Sequence, residues 1–280
     1  MVSENQNLLA EQRRALILDE VRRRGGVRVN ELTRKLKVSD MTVRRDLDAL
    51  ARQGVIEKVH GGAVPVVEAS THEPGFEAKS SLELSAKEDI ARAAAAMAVP
   101  GSAIALAGGT TTYALAHHLL DVPDLTVVTN SVRVADVFQS AQRPSGGNGQ
   151  RPGAATVVLT GGVRTPSETL VGPVADQAIR SLHFDVLFLG VHGISAEAGL
   201  STPNLAEAET NRRFVQSARR VVVVADHTKW GKVGLSSFAT LEEVDIFVTD
   251  AGLSGEVREE IEEHLPGLVV AGESEGTTDI

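Results

Sequence analysis

From Lys87 onward the chain alternates short, continuous apolar runs with helical stretches, and this restricts its fold more than any other feature. The apolar runs occupy 103–106, 126–129, 156–160, 186–190, 221–225 and 246–249. Helical stretches lie between and around them, near 87–99, 110–120, 132–142, 174–182, 206–218 and 255–264. Runs of Val, Ile and Leu without polar alternation fit strands buried on both faces, and intervening helices make the crossovers that parallel strands need. The expected fold of this region is α/β, an open, mostly parallel, doubly wound Rossmann-like sheet. Ligands of such sheets bind outside the carboxyl ends of the strands.

Other classes fall away quickly. Of the 280 residues, 42% are apolar and 23% charged, which is too apolar for a disordered chain. With no cysteine, neither a disulfide scaffold nor a Cys-ligated zinc site is available, and no cofactor or metal is expected. The adjacent His117 and His118 diverge on a helix and make no metal set. No apolar run approaches the 18 or so residues of a membrane span. The opening MVSENQNLLAEQRR lacks a basic-then-apolar signal pattern, so a cytoplasmic protein is expected.

The net charge of −9 is unevenly placed: residues 1–63 sum to +4 and the rest to −13. A small polyanion-binding head on an acidic body would show this split. Within the head, 8–24 reads as a helix with Ala15, Leu16, Ile17, Leu18 and Val21 on its apolar face, closed by Gly25-Gly26. Residues 27–29 read as extended. Asn30 is expected to cap a helix over 31–37, with Val38 making the turn. Ser39 or Asp40 caps a third helix over 41–53, ending at Gly54, that buries Val43, Leu47 and Leu50. Its other face carries Met41, Thr42, Arg44, Arg45, Asp48 and Ala49. A helix that buries one stripe and offers Thr-x-Arg-Arg on the other fits a helix-turn-helix recognition helix. Arg44 and Arg45 suit base edges, Thr42 a base or methyl group, and Ser39 a phosphate. Residues 55–63 alternate and turn like the wing of a winged helix, with Lys58 and His60 set to follow a DNA backbone. The plainer reading makes Arg44 and Arg45 a solvated face paired with Asp40 or Asp48.

The run VNELTRKLKVSDMTVRRDLDALARQGVIEKVHGGAV resembles the N-terminal domain of DeoR-type transcriptional regulators, through VS-x-x-T-[IV]-RRDL and the HGGA of the wing. Gln12 stands where that family favours a glutamate. Residues 64–86 read as a linker; within them Gly75-Phe76-Glu77-Ala78-Lys79 resembles the family's F-x-x-R segment, with lysine for arginine. The implied organisation is an arm over 1–7, a head over 8–63, a linker over 64–86, an effector domain over 87–271 and a tail over 272–280.

The strand ends of the body carry a consistent set of residues. Ala107-Gly108-Gly109-Thr110-Thr111-Thr112 opens a helix after the first strand, and helix-start N–H groups with hydroxyls suit a phosphate. Thr129-Asn130-Ser131 follows the second strand and Gly161-Gly162 the third. Gly190 ends the fourth, and Asp226 with Lys229 follows the fifth. Lys229 is the only evident cation among them. Each also has a bland reading, as a tight turn, an N-cap or a local ion pair. With Glu207-Ala208-Glu209 these segments resemble the DeoR-type effector domain, related in fold to sugar-phosphate isomerases such as ribose-5-phosphate isomerase. Ala107 replaces the family's usual aspartate, so the carboxylate that could bond a sugar hydroxyl there is absent.

The resemblance implies a homodimer or larger homo-oligomer that binds double-stranded operator DNA, represses carbohydrate-metabolism genes, and is released by a phosphorylated sugar or related metabolite. An isomerase-like enzyme with an added head is the alternative, with Glu207 and Asp226 as candidate bases. However, the isomerases' acidic D-G-A-D-E cluster is replaced here by Gly190-Val191-His192-Gly193-Ile194. A non-specific architectural DNA binder is a third reading. The Gly/Pro/Ser-rich stretch 141–153 reads as a surface loop whose two arginines are more simply solvated than DNA-bound.

Overall fold

In the computed structural model, residues 10–24, 26–52, 55–65, 71, 73–142 and 153–272 are described. The expected arm, Gly25, Gly54, positions 143–152 of the 141–153 loop and the tail from 273 lie outside them. The chain forms two compact units, 1–69 and 70–280.

The first unit runs α1 (Ala10–Arg24), β1 (Val27–Arg28), α2 (Val29–Leu36), α3 (Asp40–Arg52), β2 (Ile56–Val59) and β3 (Gly62–Pro65). Its core joins Ile17, Leu18, Val21, Leu32, Val43, Leu47 and Leu50 with Val27, Ile56 and Ala63 from the small sheet β1-β3-β2. Three helices and a β-hairpin in this order make a winged helix-turn-helix. Several local expectations are corrected. Leu16 is 48% exposed, because the buried stripe of α1 passes through its neighbours Ile17 and Leu18. Helix α2 starts at Val29, flanked by Arg28, so Asn30 lies inside the first turn and does not cap it. Lys37, at φ 53°, takes the left-handed turn assigned to Val38.

The second unit runs α4 (Phe76–Ser80), α5 (Leu84–Ala95), β4 (Ala103–Leu106), α6 (Thr110–His118), β5 (Thr126–Thr129), α7 (Val132–Gln142), β6 (Thr156–Leu159), β7 (Val163–Arg164) and β8 (Leu170–Val171). It continues with α8 (Pro173–Arg180), β9 (Val186–Leu189), β10 (Gly193–Ser195), β11 (Gly199–Thr202), α9 (Leu205–Ser217), β12 (Val221–Val224), β13 (Ser236–Ala239), β14 (Ile246–Asp250), α10 (Gly255–His264) and β15 (Leu268–Ala271). Seven parallel strands form one sheet in the order β15-β14-β12-β9-β4-β5-β6. The pleat sends alternate residues to opposite faces. Ile104, Leu106, Phe188, Val222 and Val224 pack with Ile90, Leu115 and Phe138 from α5, α6 and α7. Ala105, Leu187, Leu189, Val223 and Phe247 pack with Ile179, Phe214 and Ile261 from α8, α9 and α10. Two cores sharing β4, β5, β9, β12 and β14 therefore explain their continuous apolar runs, whereas β6, at the sheet edge, leaves Val158 and Leu159 exposed, against the expectation of burial on both faces.

The six expected strands all occur. Beyond them the unit has β15, the hairpin β7-β8 and the antiparallel sheet β10-β11-β13. Nor is 64–86 a featureless linker. Val64 and Pro65 belong to β3, Phe76–Ser80 form a helix, and α5 starts at Leu84. Buried Phe76 meets Tyr113 edge-on at 5.5 Å, and the Arg133 guanidinium lies 5.3 Å from the Phe76 ring centre. Ala141 and Gln142 of the expected loop are the end of α7.

Candidate functional site

In the first unit, α3 buries Val43, Leu47 and Leu50 and turns Arg44 and Arg45 to solvent, beside Met41 at 59% exposure. Its start is capped by Ser39, whose Oγ accepts from the Thr42 N–H at 3.2 Å and lies 2.8 Å from Thr42 Oγ1. Thr42 is half-buried, so these two hydroxyls first serve the cap. Arg44 Nε donates to Asp40 at 3.2 Å, as the solvated-face reading anticipated. Lys58 on β2 pairs with Asp48 on α3 and holds that carboxyl below its ordinary value. Exposed pairs of this kind are screened by solvent, so they compete weakly with a phosphate. His60 is exposed at the tip of the β2-β3 hairpin.

One feature of this unit escaped the sequence reading. Asp46 is 5% exposed, and Arg13 on α1 donates to its carboxylate from Nε at 2.5 Å and from a second nitrogen at 3.2 Å. The hydrogen bond to Asp46 raises Arg13 further above its ordinary value, against the effect of burial. An aspartate three residues after Val43, inside the apolar stripe, was the available signal: a buried carboxylate needs a partner. The pair fixes the recognition-type helix on α1.

In the second unit a cavity opens at the carboxyl ends of the strands. Its wall includes Gly108, Gly109, Thr110 and Thr111 at the start of α6, Gly190 after β9 and Lys229 after β12. Glu207 on α9 and Lys79 on α4 also line it. Seven of the expected effector residues thus meet in one place. Thr110 and Thr111 follow a strand-to-helix turn, where N–H groups lack intrahelical acceptors.

The remaining expected residues lie off the cavity wall. Thr129 Oγ1 donates to Leu106 O at 2.6 Å and accepts from the Ser131 N–H at 3.0 Å. Asn130 Oδ1 accepts from the Gly108 N–H at 2.9 Å, while its amide donates to Leu170 O at 3.2 Å. Ser131 Oγ caps α7 through the Val134 N–H. Gly161 and Gly162 turn β6 into β7 at φ 76° and 123°. A Cβ on Gly162 would lie 2.6 Å from Val171 O. Asp226, 1% exposed, caps the turn His227–Lys229 by accepting from the Thr228 N–H at 3.0 Å. These residues support the strand ends from behind. The requirement for Gly108 is likewise internal, since a Cβ there would lie 1.9 Å from Thr169 Cγ2.

Two lysines, not Lys229 alone, bring cationic charge to the cavity. Burial pushes Lys79 below its ordinary value and Lys229 adds to this, while Glu207 and Glu73 oppose it. Behind it, Lys87 donates to Lys79 O at 2.7 Å and to Leu82 O, and burial brings its value down to about 8. Burial raises Glu207, outweighing Lys79 and the 3.1 Å hydrogen bond donated by Thr202 Oγ1. Burial would also raise Asp226, but Lys229, Thr228 and Lys87 hold it below its usual range. One side of the cavity therefore offers ammonium groups and a helix start. The same wall also carries Glu207, Asn211, Ser167 and Glu73, suited to hydroxyls. Glu73, Ser167, Asn211 and the role of Lys79 were missed, because they come from three distant segments. Among the described residues, no group of three or more His, Asp or Glu side chains is gathered to hold a metal ion. No helix among them is long and apolar enough to cross a membrane.

Residues 13–68 match the DeoR-like helix-turn-helix domain, and 83–251 match the DeoR C-terminal sensor domain. The chain is 36% identical to the HTH-type transcriptional regulator GlpR of Haloferax volcanii, over 91% of this chain and 95% of that one. It is 31% identical to the glycerol-3-phosphate regulon repressor of Escherichia coli K12, over 86% and 90%. Among solved structures, ribose 5-phosphate isomerase A from Methanocaldococcus jannaschii matches 51% of this chain and 53% of its own, with a TM-score of 0.36 and 13% identity. A winged helix-turn-helix followed by a matched sensor domain, at this identity over nearly the whole length, makes the chain a member of the DeoR family of DNA-binding transcriptional regulators, not an enzyme.

Proposed function

We propose that the protein is a homo-oligomeric repressor of carbohydrate-metabolism genes, released from its operator by a phosphorylated sugar or related metabolite. Arg44 and Arg45 would enter the major groove with Thr42 beside a base or methyl group, and Ser39, Lys58 and His60 would face the backbone. The effector's phosphate would sit between Lys79, Lys229 and the start of α6, its hydroxyls toward Glu207 and Asn211. The observation that carries this reading is the convergence of two lysines from α4 and the β12 end on the Gly109–Thr111 turn, inside an acidic unit. An anion site must be built locally there. Paired half-sites would be spaced in multiples of about one helical turn, ~34 Å. Binding by free protein and release by ligand require different effector affinities in the two states.

The test is a thermal-shift titration of the full chain with inorganic phosphate, a pentose phosphate and a hexose phosphate, using the unphosphorylated sugars as controls. A ligand that raises the melting point of the second unit should also lower affinity for a duplex selected by the protein. Shifts as large with free sugars remove the phosphate from the reading. Enzyme-like turnover of the sugar phosphates would overturn it.

A further inference from the structure

Residues 73–80 belong to the second unit, yet they lie on the sole covalent path by which that unit can act through the chain on the first. They also furnish a wall of the cavity, through Glu73, Pro74 and Lys79. Their anchoring is a chain of polar contacts. Lys79 Nζ donates to Ser167 Oγ at 3.0 Å, and Ser167 Oγ donates to Glu73 Oε1 at 2.9 Å. Asn204 Nδ2, at the start of α9, donates to Glu73 Oε2 at 2.8 Å. The Phe76 N–H donates to Pro166 O at 3.1 Å, beside Ser167.

The Lys79 ammonium thus has a neutral hydroxyl as its hydrogen-bond partner, while Lys229 opposes its charge. An anion entering between the two lysines changes that balance, because it attracts both. The Ser167 hydroxyl offers the ammonium only a dipole, whereas an anion adds the attraction of a full opposite charge, which a partly buried site screens less than bulk water does. Ser167 is then exchanged for the anion, and the link from Lys79 through Ser167 to Glu73 and Asn204 is cut at its first member. We propose that 73–80 is the transmission element of this regulator: an anionic effector takes the Lys79 ammonium from Ser167 and so releases the anchoring of the segment that leads to the DNA-binding unit. This rests on the anion-site reading above. It names two states and the contact that differs between them, as an allosteric coupling requires. Lys79 is here a binding residue, and Ser167 and Glu73 are positioning residues.

The experiment is amide hydrogen exchange on the full chain, with and without saturating inorganic phosphate. The expected result is slower exchange at 109–112 together with faster exchange at Phe76, Lys79 and Leu82. Slowing at 109–112 alone overturns the transmission while leaving the anion site intact. No change at 109–112 removes the anion site, and the transmission with it. Ser167→Ala supplies a second readout, since it cuts the chain but keeps both lysines. Its affinity for a duplex selected from random sequence should fall about five-fold or more without any ligand, the low end of measured couplings. Its phosphate-induced thermal shift should persist. Unchanged DNA affinity overturns the proposal. Should Ser167→Ala melt early, Glu73→Gln cuts the same chain from its other end and must give the same result.

Discussion

Gly108→Ala separates a glycine required by packing from one required by a ligand. The added Cβ would stand 1.9 Å from Thr169 Cγ2, against about 3.5–4.0 Å for relaxed carbon contacts. Thr169 cannot turn away freely. It is buried, its hydroxyl lies 2.7 Å from Thr165 Oγ1, and its carbonyl accepts from the Thr165 N–H at 2.8 Å. Overpacking of this kind costs about 1–3 kcal/mol, and the fixed neighbour points to the upper end. Loss of glycine's freedom in the unfolded chain returns about 0.4–1 kcal/mol. The net destabilisation should be about 2 kcal/mol, or a melting point lower by about 4–8 °C for a unit of this size. Thr169→Ser removes the obstructing methyl and keeps the hydroxyl, costing about 1 kcal/mol by itself. In the double variant the clash is relieved, so its stability should approach that of Thr169→Ser alone, a coupling of about 2 kcal/mol. Fluorescence of Trp230, the single tryptophan, follows unfolding of the second unit without signal from the first. Strictly additive losses would refute the packing argument. A double variant that regains stability but loses its phosphate response would restore a direct ligand role to Gly108.

Four further outcomes are expected. Arg45→Ala should relax base preference at one operator position by about 1–3 kcal/mol, measured by competition among duplex variants at fixed salt; an unchanged preference reduces Arg45 to a phosphate contact. Lys229→Ala should keep operator affinity and blunt release by a sugar phosphate, as read by fluorescence anisotropy; normal release would take Lys229 out of the site. Asp46→Ala should destabilise the first unit by about 2 kcal/mol, below the ~3–5 kcal/mol of fully buried pairs because Arg13 keeps partial access to water; calorimetry of the full chain resolves it. The fourth concerns pH. The hydrogen bond to Asp250, Nδ1 to Oδ2 at 2.8 Å, raises His227 above 6.5 against its partial burial. Its contribution is therefore complete below pH 6.5 and lost as pH rises through the folded value. Burial pushes Asp250 up, but His227 and backbone N–H groups outweigh it and hold it below 3.8, so its share is lost only as pH falls through that lower value. His227→Gln should then lower the melting point more at about pH 5.5 than at about pH 9; equal losses at both would contradict this linkage.

The alternation of apolar runs and helices fixes much of this protein locally. A strand shared by two cores must be apolar at successive positions, and a helix with one buried stripe must repeat it at i, i+4 and i+7. That is why the six expected strands and the recognition-type helix appear within a residue or two of their expected bounds. The turn Gly108–Thr111 and the residues Gly190 and Lys229 were legible for a related reason. Strand ends in such sheets converge on one edge whatever the order of the strands. Elements with weaker local signal were missed: β10, β11 and β13 carry Gly or Ser among their apolar residues.

What only the tertiary structure decided was the identity of neighbours far apart in the chain. Lys79 meets Ser167 across 88 residues, Glu73 meets Asn204 across 131, and Arg13 meets Asp46 across 33. No periodicity encodes such a pair, since a side-chain contact depends on how whole elements pack. Thr129, Asn130, Ser131, Gly161, Gly162 and Asp226 show the same limit from the other side. Their position at strand ends was readable from the sequence, but their direction was not. Neighbouring backbone and side chains already claim Thr129, Asn130, Ser131 and Asp226, while Gly161 and Gly162 turn the chain at positive φ, and at Gly162 a side chain would not fit. The cavity is left to residues whose partners the fold, not the sequence, brings within reach.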